Sequence, residues 1–202
     1  MLGLPKSTEL NKQLPKKAIY AKFQMSPAAK AKFDADISRI NIVGEISTNT
    51  TGIAQGQTVN TIFVLQVIIK QRNFQPTTIA QISKLIDQNM LLVLDYGNER
   101  KLAIYHSKLI QTDWMPCDTC EVDLKGLDLD AVWENFITQV GGITIQQGKT
   151  LDEQIVIDEK RAKLEKEIVR LEKLARAEKQ PKKKFELVLQ LNKLKGNMTN
   201  EN

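Results

Sequence analysis

The chain is poor in the residues from which most catalytic centres are assembled: it has one histidine, two cysteines and 5% aromatic residues among 202 positions. With His106 alone, a multi-histidine metal site is excluded, and no Ser-His-Asp or Cys-His arrangement is evident. Two cysteines make no disulfide framework. Cys117 and Cys120, in "PCDTC", lack companion zinc ligands, and the "EVDLKGL" that follows reads as extended rather than as the helix start that redox cysteines use. No Gly-rich run ends in Lys-Ser or Lys-Thr, so the phosphate-binding loop of nucleotide hydrolases is missing. The longest apolar run, "IFVLQVII" from Ile62 to Ile69, is far shorter than the roughly 20 residues a membrane helix needs. The opening "MLGLPKSTEL" has no apolar core of a secretory signal, so a reducing cytoplasm is the expected location. No catalytic residue, cofactor or metal is assigned from the sequence.

Hydrophobic residues at 42% and charged residues at 26% are close to globular averages, so most of the chain should fold. The net charge of +5 is unevenly spread. Residues 1–22 carry five basic and one acidic side chain, 116–134 carry one basic and six acidic, and 160–184 carry eleven basic and four acidic. Positive charge therefore gathers towards the two ends, where an anionic partner would be met.

Periodicity and turn residues predict an α+β fold: a mixed, mostly antiparallel sheet with flanking helices, plus a C-terminal antiparallel helical hairpin of coiled-coil type. The expected body is 1–148, the hairpin 149–197, and 198–202 a disordered tail. Within the body, a short helix is expected over Thr8–Gln13 and a strand over the alternating "AIYAKF" (18–23). A helix should run from Pro27 to Ser38, with Ser26 as N-cap and Pro27 in the first turn. The β-branched runs Ile40–Ser47 and Thr58–Lys70 predict strands. Ile79, Ile82, Leu85 and Ile86 give one helical face behind Pro76. "MLLVLDY", "KLAIYH" and "KLIQTDW" predict two or three more strands, the first two a hairpin across "GNER". A last body helix carries Val132, Trp133, Phe136, Ile137 and Val140 inward, capped by Asp128 or Asp130 and closed by a left-handed Gly141.

The hairpin is the clearest pattern. "TLDE" (150–153) is a capping box, and no Gly or Pro follows until Pro181. Ile157, Leu164 and Leu171 recur every seven residues with Ile168 and Ala175 interleaved, which predicts a seam. Glu159 with Lys163, and Glu172 with Arg176, are helix-favouring pairs. A second helix begins after Pro181 with Leu187, Leu191 and Leu194 on one side, Phe185 in the hairpin core and Gly196 as its stop. About 29 residues in the first helix and 14 in the second would leave the first longer by half its length. The seam Ile155, Ile157, Leu164, Ile168 and Leu171 is accordingly the expected docking strip, for the body, a second copy in a homodimer, or another protein.

Two kinds of chemistry remain to be weighed. A divergent metal-dependent nuclease would draw on Glu45, Asp95 or Asp113. Yet "LQVIIK" has Gln66 and Ile68 where restriction-type nucleases place an acid before a lysine. The basic tip Arg176, Lys179, Lys182, Lys183 and Lys184 concentrates cations over less than three helical turns, and phosphate contact there would release counterions. Without an aromatic ladder such binding would be independent of sequence, either as part of a larger assembly or as a stand-alone nucleic-acid-binding module.

The stretches "MLGLPKSTELNKQLPKKAIYAKF", "KLIDQNMLLVLDYGNERKLAIYH", "VWENFITQVGG" and "EKEIVRLEKLARAEKQPKKKFEL" together resemble a bacterial family, domain of unknown function 4391, over nearly the whole chain. The family offers no catalytic motif to carry over. Its members tend to be encoded beside helicases of the Swi/Snf or type III restriction kind and DNA methyltransferases in mobile defence loci. The resemblance implies a non-enzymatic accessory subunit of an anti-phage or restriction-type complex, docking a helicase or methyltransferase.

Overall fold

The computed structural model describes residues 2–200. The chain divides into two compact units between Ile143 and Thr144.

The first unit is built on a seven-stranded sheet. Its strands are β1 (Glu9–Gln13), β2 (Ile37–Ile46), β3 (Ile62–Ile69), β4 (Asn89–Tyr96), β5 (Glu99–His106), β6 (Lys108–Gln111) and β7 (Met115–Pro116). Strands β1 to β6 lie in chain order, and β7 pairs with β5 beside β6. Only β3 and β4 run parallel, Ile62 opposite Asn89 through Ile68 opposite Asp95. The other pairs are antiparallel. A parallel pair needs a crossover, and α4 (Pro76–Ile82) makes it. β4 and β5 form the expected hairpin, turning at Gly97 with φ +59°.

One face of this sheet carries the main core. Ile40, Leu65, Val67, Leu92 and Leu94 meet Ile19 of α1 (Lys16–Lys22), Phe33 of α2 (Pro27–Asp36) and Ile79 and Ile82 of α4. Strand residues of the other parity, Val64, Leu91, Val93, Leu102 and Ile104, are buried as well. α5 (Leu129–Gly141) packs on β5 and β6 with Val132, Phe136, Ile137 and Val140 buried. Cover on both faces explains why β4 reads as an unbroken apolar run.

Several local expectations are corrected. Thr8–Gln13 is not a helix: a 3-10 turn over Lys6–Thr8 leads into β1, which pairs along β2. All five β1 residues are exposed, so no alternation marked them as a strand. "AIYAKF" forms the end of α1 and its C-cap, Phe23, instead of a strand, because Ile19 and Phe23, four apart, sit on one helical side where Tyr20 also meets Phe33 edge-to-face at 5.8 Å. α2 keeps Ser26 as its cap, with Ala29 N–H donating to Ser26 Oγ at 3.2 Å, but ends at Asp36 as β2 begins. The loop after β2 holds a short helix, α3 (Thr48–Thr51). α4 stops at Ile82, before Leu85 and Ile86. Asp128 caps α5, while the left-handed residue is Gly142 rather than Gly141.

The second unit contains α6 (Leu151–Ala177) and α7 (Pro181–Asn200), which pack on one another. The capping box forms as expected, Thr150 N–H donating to Glu153 Oε2 at 2.9 Å and Glu153 N–H to Thr150 Oγ1 at 3.3 Å. Gly196 does not stop α7, which runs 20 residues to Asn200, so the two helices are closer in length than the sequence suggests. At 1.5 Å per residue they measure roughly 40 and 30 Å. Of the tail expected from 198 to 202, residues 198–200 continue α7, and the last two lie outside the described residues.

Candidate functional site

The turn of the hairpin is where charge and curvature meet. α6 ends at Ala177, where Glu178 N–H still donates to Leu174 O at 2.9 Å, and Glu178 Oε1 accepts from Gln180 N–H at 2.8 Å. Pro181 then opens α7, at a position where its missing N–H removes no helical bond. Two elements four residues apart in sequence thus hold Arg176, Lys179, Lys182, Lys183 and Lys184 together, all exposed. Among the described residues, no ion pair engages the side chains of Lys179, Lys182, Lys183 or Lys184. Their charge is available to an outside partner. A concavity of about 660 Å³ lies against the turn, lined by Leu174, Lys179, Lys183, Glu186, Leu187 and Gln190 among others.

The expected docking strip is distributed unevenly. Ile155, Ile168 and Leu171 are buried, and Ile157 and Leu164 are half-buried. On α7, which packs on α6, Leu187, Leu191 and Leu194 are half-buried. Lys195 Nζ reaches Glu172 Oε1 at 2.9 Å, taking the carboxylate that the sequence pairs with Arg176. This ion pair holds the Glu172 carboxyl below its ordinary range. Phe185 is not a core residue, being 64% exposed, and its neighbours Leu189 (53%) and Val188 (39%) are exposed too. Positions 185, 188 and 189 share one side of a helix. α7 therefore carries two apolar sides, of which one, Phe185, Val188 and Leu189, is exposed among the described residues.

In the first unit the three carboxylates weighed for metal chemistry are not assembled. Glu45 stands opposite Phe63 on β3 and Asp95 opposite Ile68, which puts them about 16 Å apart along the sheet at 3.3 Å per residue. Asp113 is exposed in the segment between β6 and β7. Asp95 is engaged by Arg100, with Nε to Oδ1 at 2.7 Å and Nη2 to Oδ2 at 3.2 Å, and by Gln66 Nε2 at 2.7 Å. Gln66 Oε1 in turn accepts from Asn41 Nδ2 at 3.2 Å. This polar ladder crosses four strands, stepping diagonally from Gln66, which stands opposite Val93, to Asp95 two residues on, and the Asp95 carboxylate raises the Arg100 pKa further. Sequence reasoning missed it. Its only trace is a polar residue interrupting the apolar run of β3 at Gln66.

Cys117 opens a 3-10 turn and Cys120 closes it, both as free thiols. Burial pushes the Cys120 thiol up, away from the reactive thiolate. His106 ends β5 in register with Lys108. Among the described residues no group of three or more His, Cys, Asp or Glu side chains is placed to hold a metal ion, and no helix is long and apolar enough to cross a membrane.

A family model described as Domain of unknown function (DUF4391) matches residues 2–198. The chain belongs to that family. No curated protein and no solved structure matches it. In this DUF4391 member the second unit carries two surface features, a cationic turn and an exposed apolar side of α7, and the first unit holds a sheet whose central carboxylate is neutralised.

Proposed function

We propose that this protein is a docking subunit whose hairpin engages a partner protein, in an anti-phage or restriction-type assembly of bacteria. The observation that carries the reading is the exposure of Phe185, Val188 and Leu189 on one side of α7. Of the exposed large apolar residues in the described chain, Val156, Val169, Leu174, Phe185, Val188 and Leu189 all belong to these two helices. Apolar side chains clustered in this way mark interaction surfaces more often than scattered ones do. The defence setting comes from the family resemblance, which points to a helicase or DNA methyltransferase as partner, in the cytoplasm and without catalysis by this chain.

Co-expression with the products of neighbouring genes tests the proposal. The full chain co-purifies with one of them, and Phe185→Ser with Leu189→Ser breaks the complex while leaving the circular dichroism spectrum unchanged. A chain that remains monomeric and retains none of those products rules the reading out.

A second reading, contact with DNA, is favoured by the exposed cations Arg176, Lys179, Lys182, Lys183 and Lys184. It is compatible with docking, because a partner helicase or methyltransferase would bring DNA to the turn. Retention of duplex DNA should fall when Lys182, Lys183 and Lys184 are neutralised.

A further inference from the structure

At the end of the sheet where the parallel strands β3 and β4 begin, the first unit carries an open cleft of about 650 Å³, with Lys22, Asn60, Lys84 and Asp87 exposed along it. That volume lies within the range of small-molecule sites, roughly 300–1,000 Å³. Its walls come from α1 (Lys22), the segment before β3 (Asn60), the α4–β4 connection (Lys84, Asp87), the start of β4, Tyr105 and Trp133.

Two features make this more than a gap between elements. First, both cations in the wall are held by neutral groups. Lys22 Nζ donates to Leu85 O at 2.5 Å, and Lys84 Nζ lies 4.5 Å from the centre of the Tyr105 ring. A carbonyl oxygen and a π-face orient an ammonium without cancelling its charge. Two ammonium groups thus border one cleft, and among the described residues no ion pair engages either of them.

Second, the rim is braced. The Asp130 carboxylate accepts from Gln57 N–H (2.7 Å), Val59 N–H (2.8 Å) and the Thr58 hydroxyl (2.8 Å). These bonds hold its carboxyl below the ordinary range, the Thr58 hydroxyl contributing most. Gly56 packs so closely on Asp130 that a side chain there would collide with it. Next along, Gln55 Nε2 donates to Asn60 Oδ1, which leaves the Asn60 amide nitrogen as the donor that can serve a ligand. Asp87 is the acidic residue of the lining.

We propose that this cleft binds a phosphomonoester on a hydroxyl-bearing ring, with Lys22 and Lys84 on the phosphoryl group and Asn60 and Asp87 on ring hydroxyls. A sugar phosphate and a mononucleotide share this chemistry. The site is independent of the hairpin and of the docking reading.

Isothermal titration of the full chain with ribose 5-phosphate and with AMP tests it, with ribose and orthophosphate as partial ligands. Ribose 5-phosphate binds saturably, more tightly than either part alone. Lys84→Gln and Lys22→Gln each weaken it about tenfold, the loss of one charge-assisted hydrogen bond. Lys32→Gln, an exposed change outside the lining, leaves it unaltered. Trp133, which is 8% exposed and lines the cleft, changes its fluorescence on binding in a Trp114→Phe background. AMP binding more tightly than ribose 5-phosphate identifies a nucleotide site, and weaker AMP binding identifies a sugar-phosphate site. Absence of saturable binding by both phosphomonoesters into the millimolar range overturns the proposal. So does equal binding by both lysine variants, or orthophosphate matching ribose 5-phosphate.

Discussion

Asp36 is 3% exposed at the end of α2, yet its carboxylate accepts from Gln71 Nε2 (2.5 Å), Gln75 N–H (3.1 Å) and the Thr78 hydroxyl (3.2 Å). One buried side chain therefore ties α2 to the entrance of α4. Truncation strands those donors, so Asp36→Ala should destabilise the protein by about 3 kcal/mol in urea unfolding. A few residues away, Asp34 accepts from Lys16 Nζ and from the Tyr20 hydroxyl, each at 2.6 Å. The Lys16 ammonium, then the Tyr20 hydroxyl, hold the Asp34 carboxyl below its ordinary range. Burial first, and then the bond to Asp34, push the Tyr20 hydroxyl up to about 12. The raised Tyr20 value stabilises the fold fully below the ordinary 10.0, and that contribution is lost as pH rises from there through about 12. The lowered Asp34 value acts in the opposite direction, its contribution vanishing as pH falls through the folded value. Phenolate absorption assigned by Tyr20→Phe should appear near pH 12 and move towards 10 in Asp34→Asn.

The hairpin helices separate two roles that their sequence pattern merges. Leu171 is 4% exposed on α6 and Phe185 is 64% exposed on α7. Leu171→Ala should therefore cost about 3 kcal/mol of hairpin stability, while Phe185→Ser should stay within about 0.5 kcal/mol. Amide exchange along α6 and α7 measures both. A large loss from Phe185→Ser would return this ring to the core and remove the exposed apolar side of α7. Legibility of the hairpin differed by feature for a related reason. Thr150 and Glu153 announce a helix start through bonds made three residues apart, and the seven-residue recurrence of Ile157, Leu164 and Leu171 announces a packed side. Neither says how far α7 extends, because Gly196 weakens a helix by only about 1 kcal/mol and packing on α6 outweighs that.

Across the whole molecule, the net charge of +5 matters less than its placement. If the turn meets DNA, neutralising Lys182, Lys183 and Lys184 should reduce the log–log salt slope of binding by about 2 to 3, close to 0.9 for each phosphate that the lysines no longer neutralise. An unchanged slope in an anisotropy titration would place the DNA interface elsewhere. The first unit has its own charge logic, with the acidic residues of the Asn41–Gln66–Asp95–Arg100 ladder and of the Asp130 clamp spent on internal hydrogen bonds. No local spacing foretold either arrangement, since Asp130 reaches residues more than seventy positions away.

What could be read from the chain alone was whatever a few neighbouring residues decide: the Ser26 cap, an aspartate cap for α5 at 128 or 130, the Thr150 capping box, the β4–β5 hairpin, the apolar faces of α5 and α6, and the mixed character of the fold. Tertiary structure alone decided the rest. β1 became a strand because the edge of β2 offered it partners, and "AIYAKF" became a helix because Ile19 and Phe23 had one core to enter. Asp95 met Arg100 opposite it and Gln66 on the diagonal rather than Glu45 because strand register sets which side chains are neighbours, and register is a sum over many distant contacts that no short stretch contains.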